Sequence, residues 1–299
     1  MLGISRKKTG WIGIDVGTSH VKVAQVVESN KRWHLAAAAI VPRSLVWDHA
    51  QSGKYNETRD EIATAADLRR YLVGKNAAAV LPMTICQTHQ VDGALSLATN
   101  QQGKLRQLVE AATCQTAEHL QCAAWHAETL DQGTSPVKTN VISVPQVWTD
   151  NLAQEISSLG WNCRTIDAAP LALARAVSLA LSRKSKDIWA ALDWGYSQAT
   201  ICVVQNRRAV YVRPLKDCGF KHILQAITSE LDIDHNQAVQ LFEEHDLSAA
   251  EGDQRAQVIL ASISGPLAKL EFEIRRTMSH LQTQRRQIVP QGVYMFGGG

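Results

Sequence analysis

Apolar positions recur with a period of two in short stretches of this chain and with a helical period in longer ones. The segment WIGIDVGTSHVKVAQVV from Trp11 reads as an apolar strand, a tight Asp-x-Gly turn and a second apolar strand. A third strand follows at 34–41, stopped at Pro42, and a polar stretch at 48–58 predicts an exposed loop. Helical spacing returns at 59–73, with Ile62, Ala65, Leu68 and Leu72 on one face, before a short buried strand at 77–81. From 85 to 163 the pattern is mixed: strands at 85–91, 119–129 and 138–145, helices at 104–114 and 148–159, the last ended by Gly160. This α+β block lies between elements of a first lobe, 1–184, and predicts a subdomain inserted into it. An alanine-rich helix at 171–181, whose small residues suit close packing at a boundary, and a charged linker at 183–187 lead to a second lobe, 185–299.

The second lobe opens by repeating the first. WAALDWGYSQATICVV from Trp189 matches the opening hairpin 178 positions on, placing Asp15 on Asp193, Gly17 on Gly195 and Ser19 on Ser197. Arg207 and Arg208 form its far turn. Helices follow at 217–231 and 236–245, then one long amphipathic helix at 253–287 with Ile259, Ile263, Leu267, Leu270, Ile274 and Leu281 on its apolar face. A strand at 292–296 runs into Gly297-Gly298-Gly299. A single Asp-x-Gly is an ordinary hairpin turn. Two with matched flanks imply more, because each aims a carboxylate and a row of peptide N–H groups at one point. Facing each other across a cleft, such hairpins hold a nucleotide phosphate chain and its magnesium ion.

Composition narrows the classes. Of 299 residues, 45% are apolar and 20% charged, as in ordinary globular proteins, and the net charge of +3 with no basic stripe argues against nucleic acid. No apolar run reaches the length of a membrane span, and the basic leader MLGISRKKTGW has no apolar run behind it, unlike a secretory signal. The six cysteines form no C-x-x-C pair and read as reduced thiols of a cytosolic protein; the ten histidines form no metal motif.

Taken together, two phosphate hairpins, a connecting helix after Asp167 and a late strand ending in glycines resemble the actin, sugar-kinase and heat-shock chaperone ATPase superfamily. Within it, MLGISRKKTGWIGIDVGTSHVKV, IDAAPLALARA and LEFEIRRTMSHLQTQRRQ followed by VYMFGGG resemble the PilM-like family of type IV pilus assembly proteins, over nearly the whole chain. The resemblance implies an α/β, two-lobed actin-like ATPase (ribonuclease H-like) fold that binds ATP and Mg²⁺. Asp15 would coordinate magnesium through water, with Asp193 as its counterpart, and the N–H groups of Gly17, Thr18 and Ser19 would cradle the phosphates. Lys22, opposite Asp15, would point to the phosphates. Gly195 and Ser197 would supply the second hairpin, and Gly297, Gly298 and Gly299 would lie against the adenosine. Asp167 matches the position that orients the attacking water in relatives that hydrolyse ATP; a helix N-cap is the equal alternative.

The family also implies partners: the N-terminal cytosolic tail of a PilN-like inner-membrane protein and other pilus or secretion assembly proteins. The chain would then be cytoplasmic and reach the inner face of the membrane through a partner only. The inserted block, with Trp125, Trp148 and Trp161 as aromatic anchors or simply as core, would make that contact. Departures from the family pattern weaken turnover: Trp194 and Tyr196 replace small residues, Ala199 a hydroxyl, and Val239 and Phe242 replace a Glu and a Lys that line the base and ribose. The pattern also continues through a further helix beyond Gly299. Alternative readings are an inactive cytoplasmic domain of a type II secretion protein, a sugar-kinase-like phosphotransferase, and an FtsA-like cell-division protein, whose C-terminal membrane helix has no match here.

Overall fold

A computed structural model describes residues 8–30, 32–43, 62–92, 102–114, 116–127, 138–181, 187–245, 247, 253–284 and 288–297. The expected loop at 48–58, most of the linker at 183–187, and Gly298 and Gly299 lie outside these residues. Contacts divide the chain into two units, Met1–Ala176 with Arg208–Val210, and Val177–Arg207 with Tyr211–Gly299.

In the first unit, β1 (Lys8–Val16), β2 (His20–Ser29) and β3 (Arg32–Pro42) form an antiparallel meander. Strand β4 (Asn76–Leu81) joins β1 in parallel, and β8 (Asn162–Ala168) joins β4 in parallel, giving the order β3-β2-β1-β4-β8. Strict alternation puts Ile12, Ile14 and Val16 on one face of β1, and Ala77, Ala79 and Leu81 on the same face of β4, all nearly fully buried. That face is closed by α2 (Gln146–Ser158), through Trp148, Leu152 and Ile156, together with Trp161.

Residues 62–72 wind differently from the expected α-helix. Ala63–Tyr71 is a 3-10 helix. Its apolar positions explain this: Ile62, Ala65 and Leu68 are spaced by three, and a three-residue turn stacks such positions in line over the core. Buried Gln25 ties the helix end to the sheet, donating to the carbonyls of Gly10 (2.9 Å) and Val73 (2.7 Å) and accepting from the Val73 N–H (2.9 Å). Strand β8 is not among the elements expected from the sequence. Its polar run Asn-Cys-Arg-Thr lacks a strand signature, and pairing with β4 at the sheet edge makes it a strand.

A second, smaller sheet of the first unit has the order β5-β7-β6, from β5 (Gln87–Asp92), β6 (Leu120–Ala127) and β7 (Lys138–Pro145). Helix α1 (Gln102–Thr113) covers it through Leu105 and Val109, which pack with Val91, Cys122 and Val141. Of the three tryptophans considered as anchors, Trp148 and Trp161 are instead buried in the core of the five-stranded sheet, and the Trp125 indole donates to the Ala209 carbonyl at 2.6 Å.

The second unit holds the sheet β11-β10-β9-β12, from β9 (Trp189–Trp194), β10 (Ala199–Gln205), β11 (Arg208–Leu215) and β12 (Val293–Gly297). Its far turn is Asn206–Arg207, both with positive φ (49° and 66°), one residue earlier than expected, so that Arg208 begins β11. Helix α3 (Ala169–Ala180) carries the chain from the first unit into the second. Helix α4 (Lys221–Leu231) starts four residues later than its periodicity implied, α5 (His235–Glu244) opens on an Asp234–Gln237 capping box, and α6 (Gln254–Gln284) is N-capped by Asp253. Ile223, Ile227, Ala238, Ile259 and Ile263 form their common core.

Replacing fully buried Ile156 with Ala should destabilise the protein by about 3 kcal/mol, from lost transfer energy and an unfilled cavity. Leu35→Ala, at a side chain 66% exposed on β3, should change stability by less than about 0.5 kcal/mol. Urea unfolding of both variants checks the contrast.

Candidate functional site

The first Asp-x-Gly turn is closed by its own backbone. The Gly17 N–H donates to the His20 carbonyl at 2.9 Å, and a Cβ on Gly17 would stand 2.7 Å from that oxygen, so the turn accepts no side chain there. Antiparallel pairing of β1 with β2 puts Lys22 opposite Asp15, and the ammonium lies 3.8 Å from the carboxylate. The Asp15 side chain is half exposed (49%). Desolvation by the surrounding chain nevertheless raises its carboxyl above the usual 3.8, with Lys22 pulling the other way. Ser19 Oγ and His20 Nδ1 are hydrogen-bonded at 2.9 Å, and burial, then the Lys22 charge, hold the His20 imidazole below its ordinary 6.5.

Arg43, which carried no signal in the sequence, sits against this turn. It is 8% exposed; its Nη1 donates to the Gly17 carbonyl at 2.7 Å and its backbone N–H to the Ser19 carbonyl at 2.9 Å.

Sheet register brings Asp167 to the same row. Asp15 pairs with Val80, and Val80 with Asp167, so the two carboxylates occupy one row across β1, β4 and β8 at the C-terminal ends of parallel strands. Their Cα atoms are two strand spacings apart, about 10 Å. Both lie on the face away from the buried Ile14 and Ala79 row. Asp167 is engaged locally: the Ala168 N–H donates to Oδ1 at 2.9 Å, and Arg175 on α3 forms an ion pair with Oδ2. That arginine stands eight residues beyond Asp167, a spacing that by itself predicts no ion pair.

In the second unit the repeat holds in three dimensions. The Gly195 N–H donates to the Gln198 carbonyl at 3.2 Å, as Gly17 does to His20, and Asp193 pairs with Thr200 as Asp15 does with Lys22. The surroundings differ. The N–H groups of Phe220 and Lys221, at the start of α4, donate to the carbonyls of Gly195 (3.0 Å) and Tyr196 (2.9 Å). These bonds satisfy the helix N-terminus and explain why α4 begins late. Gly219 is pressed so closely on the turn that a Cβ would come within 2.2 Å of the Ser197 carbonyl carbon, and Ser197 is 2% exposed. Aromatic rings fill the flank: Trp194 meets Phe220 edge-on at 6.0 Å, Phe220 meets Phe242 at 5.1 Å, and the Trp194 indole donates to the Cys218 carbonyl. Val239 and Phe242 pack into this group.

Gly297 ends β12 beside Trp194, with φ +118° and a Cβ position 2.2 Å from the Trp194 carbonyl oxygen. Its own strand pair therefore requires a glycine there. Among the described residues no three His, Cys, Asp or Glu side chains cluster as metal ligands, and no helix is long and apolar enough to cross a membrane.

No protein-family model matches the chain, and no curated protein matches its sequence. Solved structures do. The chain superposes on one from the PilM-PilN type IV pilus biogenesis complex with a TM-score of 0.72 at 18% identity, covering 97% of this chain and 81% of that one. It also superposes on the ethanolamine utilization protein EutJ from Carboxydothermus hydrogenoformans, with a TM-score of 0.51 at 15% identity, over 97% and 76% of the two chains. The fold is that of an actin-like ATPase. In structure the chain is PilM-like.

The raised pKa of Asp15 carries a stability prediction. Its ionised form disfavours the folded state, so the stabilising contribution is present below 3.8 and lost as pH rises through the folded value. Asp15→Asn should therefore raise the melting temperature at pH 7 by about 1–2 °C, a small gain for a half-exposed group. The gain should vanish as the pH approaches 4, measurable by calorimetry across that range.

Proposed function

We propose that this chain is a cytoplasmic actin-like scaffold of type IV pilus assembly, or of a related secretion machine, that binds magnesium–ATP and the cytosolic tail of a PilN-like inner-membrane protein. The carrying observation is the likeness to a chain of the PilM-PilN complex along 97% of this sequence. In this reading Asp15 holds the magnesium ion through water, with Asp193 as its counterpart. The turn at Gly17, Thr18 and Ser19 and the Lys22 ammonium take the phosphates, and Gly195, Ser197 and the glycines from Gly297 to Gly299 complete the site. Magnesium keeps most of its water and needs few protein oxygens, so a single half-exposed carboxylate such as Asp15 could hold it through water. Bound magnesium would neutralise phosphate charge. The Lys22 side chain, 3.8 Å from Asp15, is within reach of the same anion.

Turnover is a different matter. Asp167, the water-orienting position, is bound by Arg175 and the Ala168 N–H, and the second turn is buried under Gly219 and α4. Phosphoryl transfer relies on positioning rather than covalent chemistry, so these engagements favour binding with slow or no hydrolysis. The inserted block with its small sheet supplies no phosphate motif, which supports a role in partner contact.

Asp15→Ala should weaken magnesium–ATP binding roughly tenfold or more, since a methyl group replaces a charged acceptor. Steady-state hydrolysis by the wild type should stay below about 1 s⁻¹. Titration calorimetry and a phosphate-release assay check both; equal affinity in the variant removes Asp15 from the site, and faster turnover revives the phosphotransferase alternative.

A synthetic PilN-type tail peptide should bind the full chain and crosslink mainly within 85–163. Crosslinks confined to other segments would place the contact elsewhere.

A further inference from the structure

We propose that the end of the five-stranded sheet opposite the Asp15–Asp167 row docks directly on an anionic bilayer, with basic side chains on the lipid phosphates and aromatic rings seated among the headgroups. Nothing in this depends on nucleotide binding. Strands β1, β4 and β8 run parallel, so their first residues share one end of the sheet and the carboxylate row lies at the other. The last residues of β2 and the first of β3 complete that first end, Glu28 facing Trp33 and Ser29 facing Arg32. The loop after the 3-10 helix is tied to it as well. The Gln25 side chain bridges the carbonyls of Gly10 and Val73, and the Asn162 N–H donates to the Lys75 carbonyl at 2.6 Å. Five strands make this end about 20 Å wide.

Two kinds of side chain collect there. Trp11, Trp33, Tyr71 and Val73 are between 50% and 64% exposed, large apolar groups left in water on three separate segments. Around them stand Lys8, Arg32, Arg70, Lys75 and Arg164, all exposed and none in an ion pair among the described residues. Arg164 is the extra residue of a bulge in the pairing of β8 with β4, and the Arg70 guanidinium lies 4.8 Å from the centre of the Tyr71 ring. Arg69 is exposed too, its guanidinium against Gly160 beyond the end of α2. The carboxylates described at this end are half-buried Glu28, exposed Asp67 and, on the last turns of α2, buried Glu155. Positive charge is therefore in clear excess at the surface.

A bilayer answers both kinds of group. Its anionic headgroups attract unpaired cations, and its interface is where Trp and Tyr rings place an apolar body against lipid and a polar tip in water. A peptide tail would need the rings gathered into one groove, whereas rings on β1, β3 and a loop, set apart across the sheet end, suit a planar partner. Docking by this end keeps the carboxylate row, at the far end of the same strands, clear of the lipid.

Sedimentation of the full chain with vesicles tests the assignment. The wild type should bind vesicles of phosphatidylcholine with phosphatidylglycerol, far less those of phosphatidylcholine alone, and release as salt screens the charges. Arg70→Glu combined with Lys75→Glu should weaken binding roughly tenfold or more, with the melting temperature kept because both side chains are exposed and unpaired. Lys104→Glu with Lys216→Glu, exposed lysines elsewhere, changes the net charge equally and should leave binding as it was. Brominated lipid should quench tryptophan emission in the wild type and much less in the Trp11→Phe, Trp33→Phe double variant. The proposal falls if the anionic vesicles are not bound, if the two charge-reversed pairs lose binding alike, or if quenching survives the tryptophan replacements. Displacement of the vesicles by polyglutamate at matched charge also overturns it and marks an acidic protein partner instead.

Discussion

One closed turn organises the first unit. The bond from the Gly17 N–H to the His20 carbonyl fixes the register of β1 against β2, and the register puts Lys22 beside Asp15. Everything of chemical interest there depends on it. A slip by one residue would carry Asp15 to the buried face between Ile14 and Val16 and expose apolar side chains instead. The apolar rows of β1 and β4, closed by α2, make that slip prohibitive, so the core and the site are specified by the same pairing.

The second hairpin keeps this geometry and loses the openness. Its Gly195–Gln198 bond, its Asp193–Thr200 pairing and its strands repeat the first, yet its carbonyls cap α4 and its serine is buried. Aromatic side chains at Trp194, Tyr196, Phe220 and Phe242 then serve packing of the α4–α5 layer. A hairpin closed by a glycine is a sound way to begin a sheet, whatever the turn later contacts.

Asp15 shows the tension in the other direction. Its carboxyl is raised by desolvation with Lys22 only partly compensating, an arrangement unfavourable to folding. Asp167 is the opposite case, its charge matched by Arg175 and a backbone N–H. Two carboxylates in one row of one sheet therefore carry different burdens, the first offset only in part and the second matched.

Local chemistry in the sequence determined most elements. Short apolar runs and their stops marked β1 to β7, the Asp-x-Gly pairs marked both hairpins, and Asp253 and Gly160 marked helix ends, since each depends on residues within a few positions of one another. Tertiary contacts decided the rest. Asn-Cys-Arg-Thr became strand β8 because β4 lay free to pair with it, α4 began at Lys221 because a distant turn offered carbonyls, and Ile62 to Leu72 tightened to 3-10 over an apolar floor. The row joining Asp15 to Asp167, the Arg175 ion pair and the grip of Arg43 on Gly17 arise from parallel pairing and burial. Such contacts join positions remote along the chain, and no local pattern of residues encodes which of them will meet.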